Sequence, residues 1–159
     1  MTTDSAKKAC IFYNGELKNS AGVKRVASNC DLLIAVDGGV RLHIFEKYID
    51  ALKGLDGFSH VFVLYWFDRN DTREKRSILQ VHPRGNKKNP LTGVFACRAP
   101  VRPNLIALSL CKIISVKDGI VDINNIDALN NSPVLDLKPY IPPIDHITKD
   151  VRVPDWLQE

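Results

Sequence analysis

Three arginines set among prolines, glycines and amides stand out as the side chains of this sequence best placed to do chemistry. They lie in His82-Pro83-Arg84-Gly85-Asn86, at Arg98, and in Arg102-Pro103-Asn104. Ordering an arginine side chain costs about 2 kcal/mol of rotamer freedom. Three of them beside rigid backbone therefore suggest clamps for carboxylates or phosphates rather than solubilising charge. The charge map points the same way. From Arg69 to Lys117 eleven basic residues face two acids, Asp71 and Glu74, whereas the segment before balances at eight against eight. The segment after holds three bases and eight acids, so a net charge of +4 conceals a strongly basic middle. Such a stretch suits a surface that meets phosphates or an anionic ligand, and a solvated face without a partner is the plainer alternative.

Other chemistries lack their signals. There is no G-x-x-x-x-G-K-S/T for nucleotide phosphates, no H-E-x-x-H for zinc and no G-x-S-x-G elbow. Cys10, Cys30, Cys97 and Cys111 show no C-x-x-C spacing and sit in or beside apolar stretches, so they read as buried reduced thiols with no metal site. The longest apolar run, Val61 to Phe67, is too short to cross a bilayer, and the start has no signal-peptide pattern. A cytoplasmic protein is expected.

At 159 residues and 17.8 kDa the chain is one domain, or a domain with an appendage. Ala9 to Tyr13 reads as a strand ended by Asn14-Gly15, and Gly22 to Asn29 as a short helix. Leu32 to Val36 is a continuous apolar run stopped by Asp37-Gly38-Gly39, the habit of a strand in a parallel sheet. After Gly39 the style changes. Ile44 to Leu55 holds a short helix or turn, and Ser59 to Phe67 is a strand apolar on both faces. Asp68 to Pro90 is exposed loop, and from Leu91 onward nearly everything is β.

Thr92 to Cys97 is one such strand. Ile106 to Val116 and Ile120 to Ile126 flank Lys117-Asp118-Gly119, a hairpin signal because Asp-Gly tolerates positive φ. In Val134 to Lys138, Leu135 and Leu137 should face one way, and Asp136, Lys138 and Val134 the other. The proline-rich tail from Pro139 runs extended. Short strands at steady spacing give a mainly β chain, a curled sheet or open β-barrel, with an α/β-like N-terminal appendage. The expected division is 1–39 appendage, 40–145 barrel and 146–159 tail.

Gly93-Val94-Phe95-Ala96-Cys97-Arg98-Ala99-Pro100-Val101-Arg102-Pro103-Asn104 resembles the signature G-x-F-x-x-R-S/A-x-x-R-P-N of the TsaA-like (TrmO) family. Leu52 to His60 resembles its L-x-x-L-x-G-F-S-H, and Val81 to Gly85 its H-P-R-G. Asp127-Ala128-Leu129, with Ser132 to Tyr140, resembles its D-A-x-D-G-T/S-P-V-x-D-I-K-P-Y. The likeness runs from about Val40 to Asp145. Two departures are local: Arg102-Pro103-Asn104-Leu105-Ile106-Ala107 stands for R-P-N-P-I-G, and Asn130-Asn131 for D-G.

The resemblance implies a dimeric curled barrel that uses S-adenosylmethionine to methylate the exocyclic amine nitrogen of threonylcarbamoyl-adenosine beside the tRNA anticodon. By motif position it puts Asp68, Arg69, Arg84, Phe95, Asp127 and Ala128 at the cofactor, and Arg98, Arg102, Asn104 and Lys138 at the substrate. Methyl transfer to a delocalised nitrogen is helped by a base. Asp136, beside Lys138 and near Tyr140, is the candidate, with a purely structural pair as its alternative. His60 and Trp66 read as structural.

The family's first strand, with its R-S-P or H-S-P turn, has no match before Gly39. Instead Ile11 to Leu17 and Cys30 to Gly39 resemble the opening of thiamin pyrophosphokinases, without their G-D-x-D-S metal site. Three functions follow: a tRNA methyltransferase, a non-catalytic barrel that binds a ligand or RNA, and a nucleotide-linked kinase, which the missing metal motif disfavours.

Overall fold

The computed structural model describes residues 30–34 and 40–158. The strand at Ala9 to Tyr13, the helix at Gly22 to Asn29 and the turn at Asp37 to Gly39 lie outside the described residues.

Among the described residues there are eight strands, and six of them form a ring. In chain order they are β1 (Cys30–Ile34), β2 (Val40–Ile44), β3 (His60–Trp66), β4 (Gln80–Val81), β5 (Thr92–Gly93), β6 (Ile106–Lys117), β7 (Ile120–Ile123) and β8 (Pro133–Pro139). The ring runs β1-β2-β7-β6-β3-β8 and closes narrowly, through Cys30 opposite Val134 and Asp31 opposite Pro133. β4 and β5 form a separate two-stranded arm. The mainly β expectation holds.

Alternation puts one face of each strand inside the ring. Val40 and Leu42 of β2, Val61, Val63 and Tyr65 of β3, Ala107 and Cys111 of β6, Val121 and Ile123 of β7 and Val134 of β8 fill it. A second, smaller cluster lies outside the ring, where Trp66 and Leu105 pack with Phe67 and Leu135. That cluster covers Trp66 on the outer face of β3.

Asp118 and Gly119 both adopt positive φ, 50° and 75°, as the expected hairpin turn between β6 and β7 requires. Gly119 suits this position through its positive φ and the closeness of its neighbours. Its carbonyl accepts from the Ile44 N–H, and an added Cβ would stand 2.9 Å from the Ile49 side chain.

Three expectations are corrected. The run beginning at Leu32 was expected in a parallel sheet, but β1 lies antiparallel to both β2 and β8. An apolar run carries no strand direction. The expected strand from Thr92 to Cys97 stops at Gly93 and becomes a 3-10 turn over Val94–Ala96. There the Val94 N–H donates to the Leu79 carbonyl and the side chain is buried.

The third correction concerns β8. Its pairing with β3 shifts register between Leu64 and Tyr65, so Leu137 packs on the ring core while Leu135 packs on the Trp66 cluster. Val134 is buried in the ring and does not share a face with Asp136 and Lys138. A bulge adds one residue to a strand and inverts the alternation beyond it.

Candidate functional site

β3 ends at Trp66, and its continuation turns sharply: the Phe67 N–H donates to the Leu105 carbonyl, and a 3-10 turn follows over Asp68–Asn70. The connection from β7 to β8 comes alongside. Tyr65 reaches out of the ring core and donates its hydroxyl to the Asp127 carbonyl, and Arg69 Nη2 donates to the Asn130 carbonyl at 3.3 Å. Asn131 takes positive φ, 62°, and the Ser132 N–H donates to the Leu129 carbonyl, which folds this connection tightly before Pro133. Asn130-Asn131 therefore serves as the turn that its sequence position required.

Between these two segments and the loop after β5 lies a cavity of about 260 Å³. Its charged lining is Asp68, Arg69, Arg98 and Asp127, with Ala128 beside them and Tyr65 and Phe67 as aromatic walls. The two rings meet edge to face, 5.6 Å apart between centroids. Burial raises the Tyr65 phenol above its ordinary pKa, against a smaller lowering from its hydrogen bond with Ser109. It thus stays a neutral donor to Asp127. Two carboxylates and two guanidiniums on an aromatic wall can hold a ligand that carries both signs of charge.

Five residues singled out in the sequence thus come together: Asp68, Arg69, Arg98, Asp127 and Ala128. The others do not join them. Arg84 and Phe95, placed at the cofactor by motif, are exposed on the β4–β5 arm and in the turn after β5, and are not among the residues lining this cavity. Arg102 is half-buried, its guanidinium lying 6.0 Å from the Phe95 ring centroid, and Asn104 follows in the same bend.

Asp136 lines a different cavity, of about 440 Å³, with Tyr48, Leu52, Leu55, Phe58 and Leu137 among its walls. There it is engaged by Lys138 at 2.8 Å and by the Leu137 N–H at 2.9 Å. Tyr140 stands edge-on to His60 and Phe62. His60 also touches Ser59 Oγ through Nδ1 at 2.9 Å.

Sequence reasoning passed over Tyr65, Phe67, Asn70 and Ser132 as lining residues. One signal was available for Tyr65: a hydroxyl inside an apolar strand needs a buried partner, and such partners gather at strand ends. Cys111 is a buried free thiol, raised to about 11 by desolvation, and Cys97 is a free thiol near the surface. Among the described residues no helix is long and apolar enough to cross a membrane.

Residues 32–146 match the family described as the tRNA-methyltransferase O N-terminal domain. A probable S-adenosyl-L-methionine-binding protein of Methanocaldococcus jannaschii is 44% identical over 104 residues, 65% of this chain and 82% of that one. The human tRNA (adenine(37)-N6)-methyltransferase is 41% identical over 106 residues, 67% of this chain but 23% of the human protein. The crystal structure of TrmO from Pseudomonas aeruginosa superposes with a TM-score of 0.60 at 27% identity, covering 82% of this chain and 61% of that one. The chain thus spans most of the archaeal relative, about six-tenths of the bacterial one and under a quarter of the human one.

Proposed function

Because the chain belongs to the tRNA-methyltransferase O N-terminal domain family, we propose that it is an S-adenosylmethionine-dependent tRNA methyltransferase. In this reading it acts in the cytoplasm on the exocyclic amine nitrogen of threonylcarbamoyl-adenosine beside the anticodon. The observation that carries the reading is the convergence of three separate motifs, through Asp68-Arg69, Arg98 and Asp127-Ala128, on one cavity at one end of the ring.

The residues there fit the cofactor's chemistry. Arg69 and Arg98 suit its carboxylate, Asp68 and Asp127 its ammonium and ribose hydroxyls, and Phe67 offers an aromatic wall. When bound, S-adenosylmethionine supplies an electrophilic methyl group on a sulfonium. What the chain contributes is alignment and exclusion of water, because an in-line displacement gains most from a fixed approach of donor and acceptor. The Tyr65 hydroxyl and Arg69 pin the segment from Asp127 to Asn130 against the end of β3, which holds both walls in register. A proton leaving the amine finds Asp68 or Asp127 in the same cavity, whereas Asp136 lines the other one beside Lys138. β1 closes the ring between β2 and β8.

The outer face of β6 supports a homodimer. Ile106, Leu108, Leu110 and Ile114 are all exposed along it, an apolar stripe interrupted by Lys112, of the kind that marks an interface. Equilibrium sedimentation is expected to give twice the 17.8 kDa of the chain, and a Leu110→Glu variant to give the single mass. A wild type that sediments as one chain at micromolar concentration removes the dimer.

Incubation with labelled S-adenosylmethionine and threonylcarbamoylated tRNA tests the activity. Label is expected in the methylated nucleoside after digestion. Binding of both ligands without any transfer of label would leave only the non-catalytic binding barrel.

A further inference from the structure

Just beyond the turn that follows β3, a lysine reaches back onto the cavity wall. Lys75 Nζ donates to the Arg69 carbonyl at 3.1 Å and to Asn70 Oδ1 at 2.8 Å. Arg69 and Asn70 both line the smaller cavity, and Lys75 does not. The lysine is set in place by its own short helix, Arg73–Arg76: Thr72 Oγ1 accepts from the Lys75 N–H at 3.3 Å, and the Arg76 N–H donates to the Thr72 carbonyl at 3.0 Å. Arg73 and Glu74 beside it are exposed, whereas Lys75 is half-buried. No carboxylate of the described residues pairs with it. A lysine that gives up rotamer freedom to bond two neutral oxygens of one cavity wall holds that wall in place.

The ammonium also decides which way the Asn70 amide faces. It can only donate, so the amide oxygen must turn to Lys75 and the NH2 group away from it. The backbone of Asn70 is already engaged, its N–H with the Phe67 carbonyl at 2.9 Å and its carbonyl with the Thr72 N–H at 2.8 Å. Among the described residues nothing accepts from Asn70 Nδ2. Nor is any of their side-chain nitrogens or oxygens buried without a partner, so this NH2 group is open to solvent or ligand. It is a donor with no protein acceptor, carried by a residue of the cavity wall.

We propose that Lys75 is a positioning residue for this cavity and that Asn70, turned by it, is a specificity residue that donates from Nδ2 to an acceptor of the bound ligand. On S-adenosylmethionine that acceptor is a carboxylate oxygen or an acceptor atom of the nucleoside. The proposal deepens the methyltransferase reading and rests on it for the identity of the ligand. Beside the charged groups of Asp68, Arg69, Arg98 and Asp127, Asn70 adds a neutral donor whose direction is fixed before the ligand arrives.

Calorimetry with S-adenosylmethionine on the full chain compares the wild type with Asn70→Ala, Asn70→Asp, Lys75→Met, Lys75→Arg and the double variant Lys75→Met/Asn70→Ala, with thermal unfolding alongside. Asn70→Ala should weaken binding by about three- to tenfold, the worth of a neutral hydrogen bond. Asn70→Asp keeps an oxygen for Lys75 and replaces the donor with an acceptor, so it should weaken binding by about tenfold or more with no fall in thermal midpoint. The loss is the more telling because the ligand carries net positive charge, which an added carboxylate would otherwise favour. Lys75→Met frees the amide to rotate and should cost about threefold or more, and Lys75→Arg should recover most of that. Because the lysine acts through the amide, the double variant should bind within about twofold of Asn70→Ala. Decarboxylated S-adenosylmethionine locates the acceptor: an Asn70→Ala penalty that vanishes with it puts the acceptor on the carboxylate, and one that persists puts it on the nucleoside. Either result supports the donor.

Affinities of Asn70→Ala and Asn70→Asp that both stay within twofold of the wild type overturn the donor. Additive losses from Lys75→Met and Asn70→Ala, with a lower thermal midpoint in Lys75→Met, make the lysine a structural tie and overturn its positioning role. A wild type that does not bind S-adenosylmethionine takes this proposal down together with the methyltransferase reading. One that binds it with the expected losses, yet transfers no methyl group to tRNA, loses the activity and keeps the proposal.

Discussion

Replacing Arg98 with alanine is expected to raise the dissociation constant for S-adenosylmethionine by roughly ten- to a hundredfold while leaving the fold intact. Hydrogen bonds to a charged group contribute about 1.5–3 kcal/mol, and each 1.4 kcal/mol is about tenfold in affinity. Arg98 is the cleanest probe of the cavity because it lines the space, is exposed, and has no salt-bridge partner among the described residues. Arg69, by contrast, also donates to the Asn130 carbonyl, so its removal would loosen the wall as well as the ligand. Arg98→Lys should fall between wild type and alanine, since it keeps the charge but loses the planar fork that grips both oxygens of a carboxylate. Calorimetry measures all three. A dissociation constant for Arg98→Ala within twofold of wild type would sink the assignment of this cavity to the cofactor.

What could be foreseen from the sequence depends on whether a feature is local. Asp118-Gly119 announces its turn because positive φ is a property of those two residues, and the structure shows it at both. Trp66 announces its burial because a large ring in an apolar strand has nowhere else to go. Long-range pairing is a different matter. The antiparallel setting of β1 and the inversion within β8 both depend on which strand lies next door and in what register. No window of the sequence around Leu32 or Val134 contains that information.

The site divides along the same line. Asp68-Arg69, Arg98 and Asp127-Ala128 could be gathered in advance only by family motif, and they do share one cavity. Tyr65 escaped notice because its hydroxyl matters only once Asp127, sixty-two residues away, is known to lie beside it. Arg84 sits in the loop that the short β4–β5 pairing projects, and Phe95 in the turn after it, and neither is among the residues lining that cavity.

Trp66→Ala is expected to destabilise the chain by about 3–5 kcal/mol, the usual cost of emptying a large aromatic site. Against a typical total of about 5–15 kcal/mol, that is from about a fifth of the stability to all of it. The ring is 2% exposed and fills the cluster outside the barrel with Leu105, Phe67 and Leu135. Its indole N–H donates to Asp71 Oδ2 at 3.2 Å, while Asp71 Oδ1 accepts from Arg76 at 2.9 Å and the Arg76 guanidinium lies over the ring, 5.6 Å from its centroid. Alanine therefore leaves a void and also strips the Asp71–Arg76 pair of the surface that orders it. Trp66→Phe keeps much of the apolar filling and loses the indole donor, so its cost should be smaller, about 1–2 kcal/mol.

Position in the chain adds a functional consequence. Trp66 is followed directly by Phe67, Asp68 and Arg69, which line the cavity. A collapsed outer cluster should let that turn move, so Trp66→Ala should weaken S-adenosylmethionine binding under conditions where it is still folded, and Trp66→Phe should not. Urea unfolding gives the stability difference and calorimetry the affinity. A loss below about 1 kcal/mol for Trp66→Ala, smaller than burial of any large side chain is worth, would mean that the outer cluster does not support the cavity and that the end of β3 is held by hydrogen bonds, those of Tyr65, Arg69 and the Phe67 N–H among them.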